Sequence, residues 1–297
     1  MMTVRDETDG ASKAAAVAPV PVTLSVILTS HNRRELTLAA LRSLRVATPA
    51  HVTTKIVLMD DGSSDGTGAA VAAEFPEVTV LRGSGDLFWN RGMLAAWSEA
   101  VKTQQDFFLW LNDDLAMNPT ALGEMLDHHA RMRAVHGEKI VIVGKTVSPS
   151  TQAVTYGGFC VNEGISKLSF RRMRDDEPVA RTMNGNLVLL PARARDDIGL
   201  LSERYTHTFG DIDYGLRATE AGYKILQAPN PVGFQEYNVE YKRKISTLSR
   251  ANWRFILLHP KGLPWREWLY FCRRHGGMLW PVNFVTRYAK LIVAGYK

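Results

Sequence analysis

Cysteine is nearly absent: the 297 residues hold only Cys160 and Cys272, far apart in the chain, which excludes a disulfide framework and a cysteine-based zinc site. Long apolar runs are absent as well, and no stretch approaches the roughly 20 consecutive apolar residues that span a bilayer. The N-terminal "MMTVRDETDGASKAAAVAPVPV" has neither the basic start nor the apolar middle of a signal peptide. A cytoplasmic location is therefore expected, and residues 1–21, Ala-rich and polar, read as a disordered leader.

Positive charge is also missing where a nucleic-acid enzyme would need it. The net charge is +6, but residues 241–297 carry twelve Lys or Arg against the single acid Glu267, or +11, which leaves −5 for the first 240 residues. The main body is mildly acidic, so no nucleic-acid partner is expected. Two glycine signatures fail too. "VGKT" at 143–146 has Lys139 where a phosphate loop needs its first glycine. "GSGDLF" at 83–88 would place the third glycine of a dinucleotide fingerprint at Phe88.

What is present is a 45% hydrophobic chain long enough for a sizeable core. The apolar runs "VTLSVILTS", "KIVLMDD", "EVTVLRG" and "DFFLWLNDD" alternate with helix-like segments such as "RRELTLAALRSLRVA" and "NRGMLAAWSEAVK". That order predicts a Rossmann-like α/β fold: a mixed, mostly parallel sheet flanked by helices. From about residue 139 shorter strands follow, then a helix over "GDIDYGLRATEAG" stopped by Gly222, and after residue 240 a basic, tryptophan-rich helical appendage.

In such sheets ligands sit beyond the carboxyl ends of the strands. The chain places "TSHNR", "DDGSSDGT", "GSGD" and "NDD" at those ends, which gathers polar groups on one rim. Adjacent Asp113 and Asp114 suit a hard divalent cation that shares its coordination with phosphates and water, or, more plainly, the capping of the helix after "MNPT". For Asp60 and Asp65 turn capping is the preferred reading.

Six ordered segments, "VTLSVILTSHNR", "IVLMDDGSSDGT", "GSGDLFWNRGMLAAW", "FLWLNDDLAMNP", "MNGNLVLLP" and "FGDIDYGLRATEAGYKI", resemble family 2 inverting glycosyltransferases of the GT-A fold. They are most similar to the rhamnosyltransferase-type members that build bacterial surface polysaccharides. The resemblance covers residues 22–240 and implies a glycosyltransferase domain there. It implies that Thr29, His31 and Asp61 hold the pyrimidine base, His31 by stacking, and that Arg91 lies near the nucleotide diphosphate. Asp113 would contact ribose and metal and Asp114 the metal, in a DXD-like motif whose first acid is replaced by Asn112; the cofactor implied is Mg2+ or Mn2+. Many relatives complete the metal site with a histidine after the base helix, where this chain offers only Gln235. Asp211 matches the general base of an inverting transfer, whereas Asp213, four residues before Arg217, has a competing reading as a helical ion pair.

For the acceptor, Trp89, Tyr156, Gly157, Gly158, Asn184 and Asp213 are candidates, since aromatic faces pack on sugar C–H groups and amides bind hydroxyls; mid-strand Trp110 reads as core. Donor and acceptor are expected to be a UDP- or dTDP-sugar and a glycan or lipid-linked hydroxyl. Four of the seven tryptophans lie in 241–297. That mixture of Trp with Lys and Arg suits either an anionic membrane surface, on the inner face of the cytoplasmic membrane, or packing onto the catalytic domain or a second subunit in a homo-oligomer. Two rival functions stay open: a sugar nucleotidyltransferase, although "TSHNRREL" has no glycine for a triphosphate loop, and an inactive membrane-associated glycan-binding protein.

Overall fold

The computed structural model describes residues 20–237 and 250–295. The expected leader lies outside them except for its last two residues, as do residues 241–249 of the basic segment.

The first half alternates as β1 (Val22–Ser30), α1 (Arg34–Ala47), β2 (Val52–Asp60), α2 (Thr67–Glu74), β3 (Thr79–Arg82), α3 (Phe88–Ala100), β4 (Phe107–Leu111), the short β5 (Ala116–Met117) and α4 (Ala121–His136). Then come β6 (Ile140–Val147), β7 (Val154–Tyr156), β8 (Gly158–Val161), β9 (Phe170–Arg172), β10 (Thr182–Met183), β11 (Leu187–Pro191), α5 (Ala194–Ile198), α6 (Gly210–Glu220) and β12 (Lys224–Phe234). The C-terminal segment supplies α7 (Arg250–Leu258), α8 (Trp265–His275) and α9 (Trp280–Gly295).

Nine strands form one sheet in the order β3-β2-β1-β4-β11-β6-β12-β5, with β7 on β6. β1, β2, β3, β4, β6 and β12 share one direction, and β11 runs against its neighbours β4 and β6. This is the mixed, mostly parallel sheet of a GT-A fold. "VGKT" lies within β6, whose Lys145 ammonium is 2.8 Å from the Asp175 carboxylate. "TMNGNLVLLP" splits between two sheets: β10 joins a separate three-stranded sheet with β8 and β9, whereas β11 enters the main one. The break falls at Asn184 to Asn186, whose backbone turns from one sheet to the other.

Both faces of the central strands are buried, which is why they read as continuous apolar runs. Alternation divides them: Leu109 and Leu111 of β4 enter the core under α1, α2 and α4, while Phe108 and Trp110 enter the core under α3 and α6. Trp110 is fully buried against Trp97 and Tyr214, as its mid-strand place predicts.

The C-terminal segment docks on this body through a third cluster. Trp268, Phe271 and Cys272 of α8, with Ile256 and Leu263, close over Tyr205 and over Leu216 of α6. Burial in that cluster raises the Cys272 thiol to about 12, so it remains a protonated packing group.

Candidate active site

The parallel strand ends β1, β2 and β4 bring the polar loops to one rim, where the N-termini of α3 and α6 and the β10–β11 turn meet them. Asp60 is a turn residue: its carboxylate accepts from the backbone N–H groups of Ser63 and Gly68, both at 3.0 Å. Asp65 accepts from the N–H groups of Arg34 and Thr67. These are capping roles of the kind short Asp side chains fill.

Asp61 is nearly inaccessible, and its two oxygens take three backbone N–H groups, from Gly85 at 2.8 Å, Leu87 at 2.9 Å and Phe88 at 3.0 Å. It anchors the 83–88 loop to the β2 end. Thr29 turns its hydroxyl inward to the Met59 carbonyl at 3.2 Å and packs against Gly92 of α3. The side chains of Thr29 and Asp61, expected at the base, both make hydrogen bonds within the wall of the crevice. His31 is exposed, with Nδ1 2.6 Å from the Asp61 carbonyl and Nε2 3.1 Å from the Asn32 amide. Those contacts hold the ring by its edge. Arg91 is exposed at the start of α3, where its N–H donates to the Thr206 carbonyl.

Asp113 and Asp114 stand beyond the end of β4. One guanidinium nitrogen, Nη1 of Arg33, lies 3.1 Å from Asp113 Oδ1 and 2.7 Å from Asp114 Oδ2. Asp114 also accepts from the Gln235 amide, whose own oxygen accepts from Asn186 Nδ2 at 2.8 Å. Burial pushes the Asp113 carboxyl up to about 6, against the pull of Arg33. Among the described residues no cluster of three or more Asp, Glu, His or Cys exists that would enclose a metal. Two carboxylates at a ligand rim are nonetheless a fitting donor set for Mg2+ or Mn2+, which needs one or two carboxylates when phosphates and water supply the rest. Gln235 presents its amino group to Asp114 and so acts as a donor to the carboxylate.

Asn112 has a separate duty. Its side-chain oxygen accepts from Trp89 Nε1 at 2.9 Å and its N–H donates to the Asn186 carbonyl. Trp89 is thereby laid along the β10–β11 turn, so close that a Cβ on Gly185 would stand 2.4 Å from the indole and 3.2 Å from Asp211 Cβ. Only glycine fits between the two.

Asp211 occupies the first turn of α6, half-buried, with Oδ2 accepting from Gly185 N–H at 3.0 Å and Oδ1 from Ile212 N–H at 2.8 Å. Burial raises its pKa, opposed by these N–H groups and by the Asn184 side chain. A carboxylate lifted above its ordinary range is a stronger proton acceptor. Asn184, Gly185, Trp89 and Asp211 therefore form one wall.

Asp213 is not part of that wall. It is buried, with Oδ2 2.8 Å from Arg217 Nε and Oδ1 2.8 Å from His275 Nε2 and 3.2 Å from the Tyr205 hydroxyl. Its pKa is lowered, since hydrogen bonding to His275 and the charge of Arg217 outweigh desolvation. The acceptor role expected of Asp213 is corrected to a structural one. Gly158 is corrected likewise: it is buried in β8, its N–H donating to the Gln227 side chain and its carbonyl accepting from Met173.

Sequence reasoning missed four site residues. Asn90, fully buried, donates to the Ser202 and Tyr205 carbonyls and ties α3 to the loop before the base. His207 accepts the Trp89 N–H at Nδ1, and burial lowers its pKa to about 4, leaving it neutral at pH 7. Asn186 orients Gln235. Arg33 alone had a signal: two adjacent carboxylates call for a counter-charge, and "TSHNR" lies on the same rim.

Phe88 and Phe209 have φ of +55° and +74°. Left-handed backbone in a bulky residue costs of order 1–3 kcal/mol. Phe88 opens α3, which carries Trp89, and Phe209 immediately precedes α6, which carries Asp211. Phe209 is held by stacking on Trp268 and Phe271, at ring distances of 5.4 and 5.0 Å.

Residues 25–177 match the family model described as Glycosyl transferase family 2. The N-acetylglucosaminyl-diphospho-decaprenol L-rhamnosyltransferase of Mycobacterium tuberculosis is 25% identical over 211 residues, covering 64% of this chain and 68% of that protein. Among solved structures, S. aureus TarS (residues 1–349) with UDP-GlcNAc matches with TM-score 0.53 at 16% identity, over 71% of this chain and 58% of that one. GalNAc-T7 with UDP, GalNAc and Mn2+ matches with TM-score 0.54 at 15% identity, over 70% and 43%. The chain thus spans less than two thirds of these two solved structures, and at such identity they speak for the fold.

Proposed function

The chain belongs to glycosyl transferase family 2, and from that premise we propose that it is an inverting transferase moving a sugar from a UDP- or dTDP-sugar to a hydroxyl of a lipid-linked glycan. The observation that carries this is the placing of Asp211. Its carboxylate, raised in pKa, sits at a helix N-terminus beside Asn184, Gly185 and Trp89. There it can take the proton of an acceptor hydroxyl as that oxygen attacks the anomeric carbon from the face opposite the nucleotide.

The parts divide as follows. His31 offers an edge-held ring on which a pyrimidine stacks, and Asp61 contributes by shaping the 83–88 loop. Arg91 is the cation assigned to the nucleotide diphosphate. Asp113 and Asp114 would hold Mg2+ or Mn2+, which neutralises charge on a diphosphate leaving group when bound. Trp89, braced by Asn112, gives the acceptor sugar an aromatic face.

A sugar on a diphospho-polyprenol is the proposed acceptor class, by analogy with the name of the mycobacterial relative. Calorimetry against UDP, dTDP and GDP, with and without Mn2+, tests the reading together with a transfer assay on a synthetic diphospho-polyprenyl sugar. A pyrimidine diphosphate is expected to bind and GDP to bind poorly. Binding of none of them sinks the proposal; release of pyrophosphate from a nucleoside triphosphate and a sugar phosphate would point to a nucleotidyltransferase.

The C-terminal segment favours a membrane-surface location for the same enzyme. No described helix is long and apolar enough to cross a membrane. Yet α9 is apolar on two sides: Trp280, Phe284, Tyr288 and Leu291 pack on the body, while Val282, Val285, Ile292 and Val293 are exposed beside Arg287 and Lys290. An amphipathic basic surface of this kind suits anionic lipid. Co-sedimentation with phosphatidylglycerol vesicles is expected and should weaken when Val285 is replaced by Asp; no sedimentation with any vesicle removes this location.

A further inference from the structure

We propose that Arg33 is a built-in counter-ion for the Asp113–Asp114 pair, which a divalent cation must displace, so that Arg33 sets the affinity of the site for metal. The inference rests on the reading of that pair as the cation site.

A single nitrogen, Nη1, bridges the two carboxylates at 3.1 and 2.7 Å. It therefore occupies the space between them that a shared cation would use. The backbone beneath it is fixed, since the Arg33 carbonyl accepts both the N–H and the hydroxyl of Thr37 at 2.9 Å. The side chain above is freer, with 37% of its surface exposed. An arginine pivoting on a fixed turn can leave without disturbing β1 or α1.

Charge decides the exchange. Two adjacent carboxylates with Arg33 carry −1 in all; a divalent cation in its place brings the cluster to zero. Both cations together would give +1 and would set two positive centres within a few ångströms, where they repel. A guanidinium does not lose its proton in a protein, so Arg33 keeps its side of this competition at every working pH. Gln235 reinforces it: its oxygen is taken by Asn186, its amino group faces Asp114, and it offers the cation no ligand atom.

Arriving donor eases the exchange, because a diphosphate at the rim gives the displaced guanidinium a new anionic partner, one whose geometry its planar fork matches. Metal and nucleotide are thus coupled through one side chain, and by linkage each raises the affinity of the other.

The test is a titration of the nucleotide-free protein with Mn2+, followed by electron paramagnetic resonance of the free ion, on wild type, Arg33→Gln, Arg33→Lys and Asp114→Asn, repeated with UDP. Equal melting temperatures establish that the variants are folded. Arg33→Gln should bind Mn2+ at least about tenfold more tightly than wild type without UDP. Arg33→Lys, which keeps the charge, should stay near wild type, and the gain in Mn2+ affinity on adding UDP should shrink in Arg33→Gln. If Arg33→Gln binds Mn2+ no more tightly than wild type, while wild type with UDP binds it and Asp114→Asn does not, the counter-ion role is overturned and the cation site stands. If no form binds Mn2+ even with UDP, both fall.

Discussion

Asp211→Asn should lower turnover about a thousandfold, the scale of a lost general base, while UDP affinity stays within about twofold of wild type. The two should separate because Asp211 faces the Asn184–Gly185–Trp89 wall and the nucleotide side is built from β1, β2 and β4. The amide is nearly isosteric and its oxygen can still accept the Gly185 N–H, so the fold should survive. Wild-type kcat/KM should rise with pH as the carboxyl loses its proton. Because burial raises that pKa, the rise falls at higher pH than for an exposed aspartate. The residual activity of Asp211→Asn should lack this limb. Undiminished turnover would assign the base elsewhere, and Asp213 is a poor heir because Arg217, His275 and Tyr205 already consume it.

Trp268→Ala should be the most damaging change far from the chemistry. The indole is 5% exposed, stacks on Phe209 and donates from Nε1 to the Phe284 carbonyl at 3.2 Å. Truncation of a buried tryptophan costs about 3–5 kcal/mol, which lowers the melting temperature by roughly 10 °C in a chain of this size. The catalytic consequence is more specific. Phe209, at φ +74° immediately before the helix of Asp211, is kept in that conformation by the stack. Once the stack is gone, the first turn of α6 can relax and move the base. Transfer measured well below the melting transition should therefore fall by tenfold or more, on the scale of about 1.4 kcal/mol. A variant that melts early yet turns over normally at low temperature would show the C-terminal helices to be a separable attachment.

Much of this molecule was legible in the chain. Four apolar runs alternating with amphipathic segments require a layered α/β sheet, because strands buried on both faces leave no polar positions. Doubled aspartates after two such runs mark a rim, since carboxylates cannot lie in the core unpaired. Asp211 at the start of a helix, Trp110 in the core and turn roles for Asp60 and Asp65 followed from position alone. Side-chain direction did not. Thr29, Asp61 and Asp213 stand at motif positions, yet hydrogen bonds with residues up to 62 positions away turn their side chains inward.

The basic tail shows the same division. Composition left its tryptophans open between a lipid surface and a packed interface, and the tertiary structure divides them: Trp253, Trp268 and Trp280 pack on the body, while Trp265 and the outer valines of α9 are exposed. Periodicity and charge are local quantities, and they determined the layers and the rim. Which carboxylate is free, which is neutralised by Arg33 and which is locked by His275 depends on contacts between segments distant in sequence, and only the folded chain decides those.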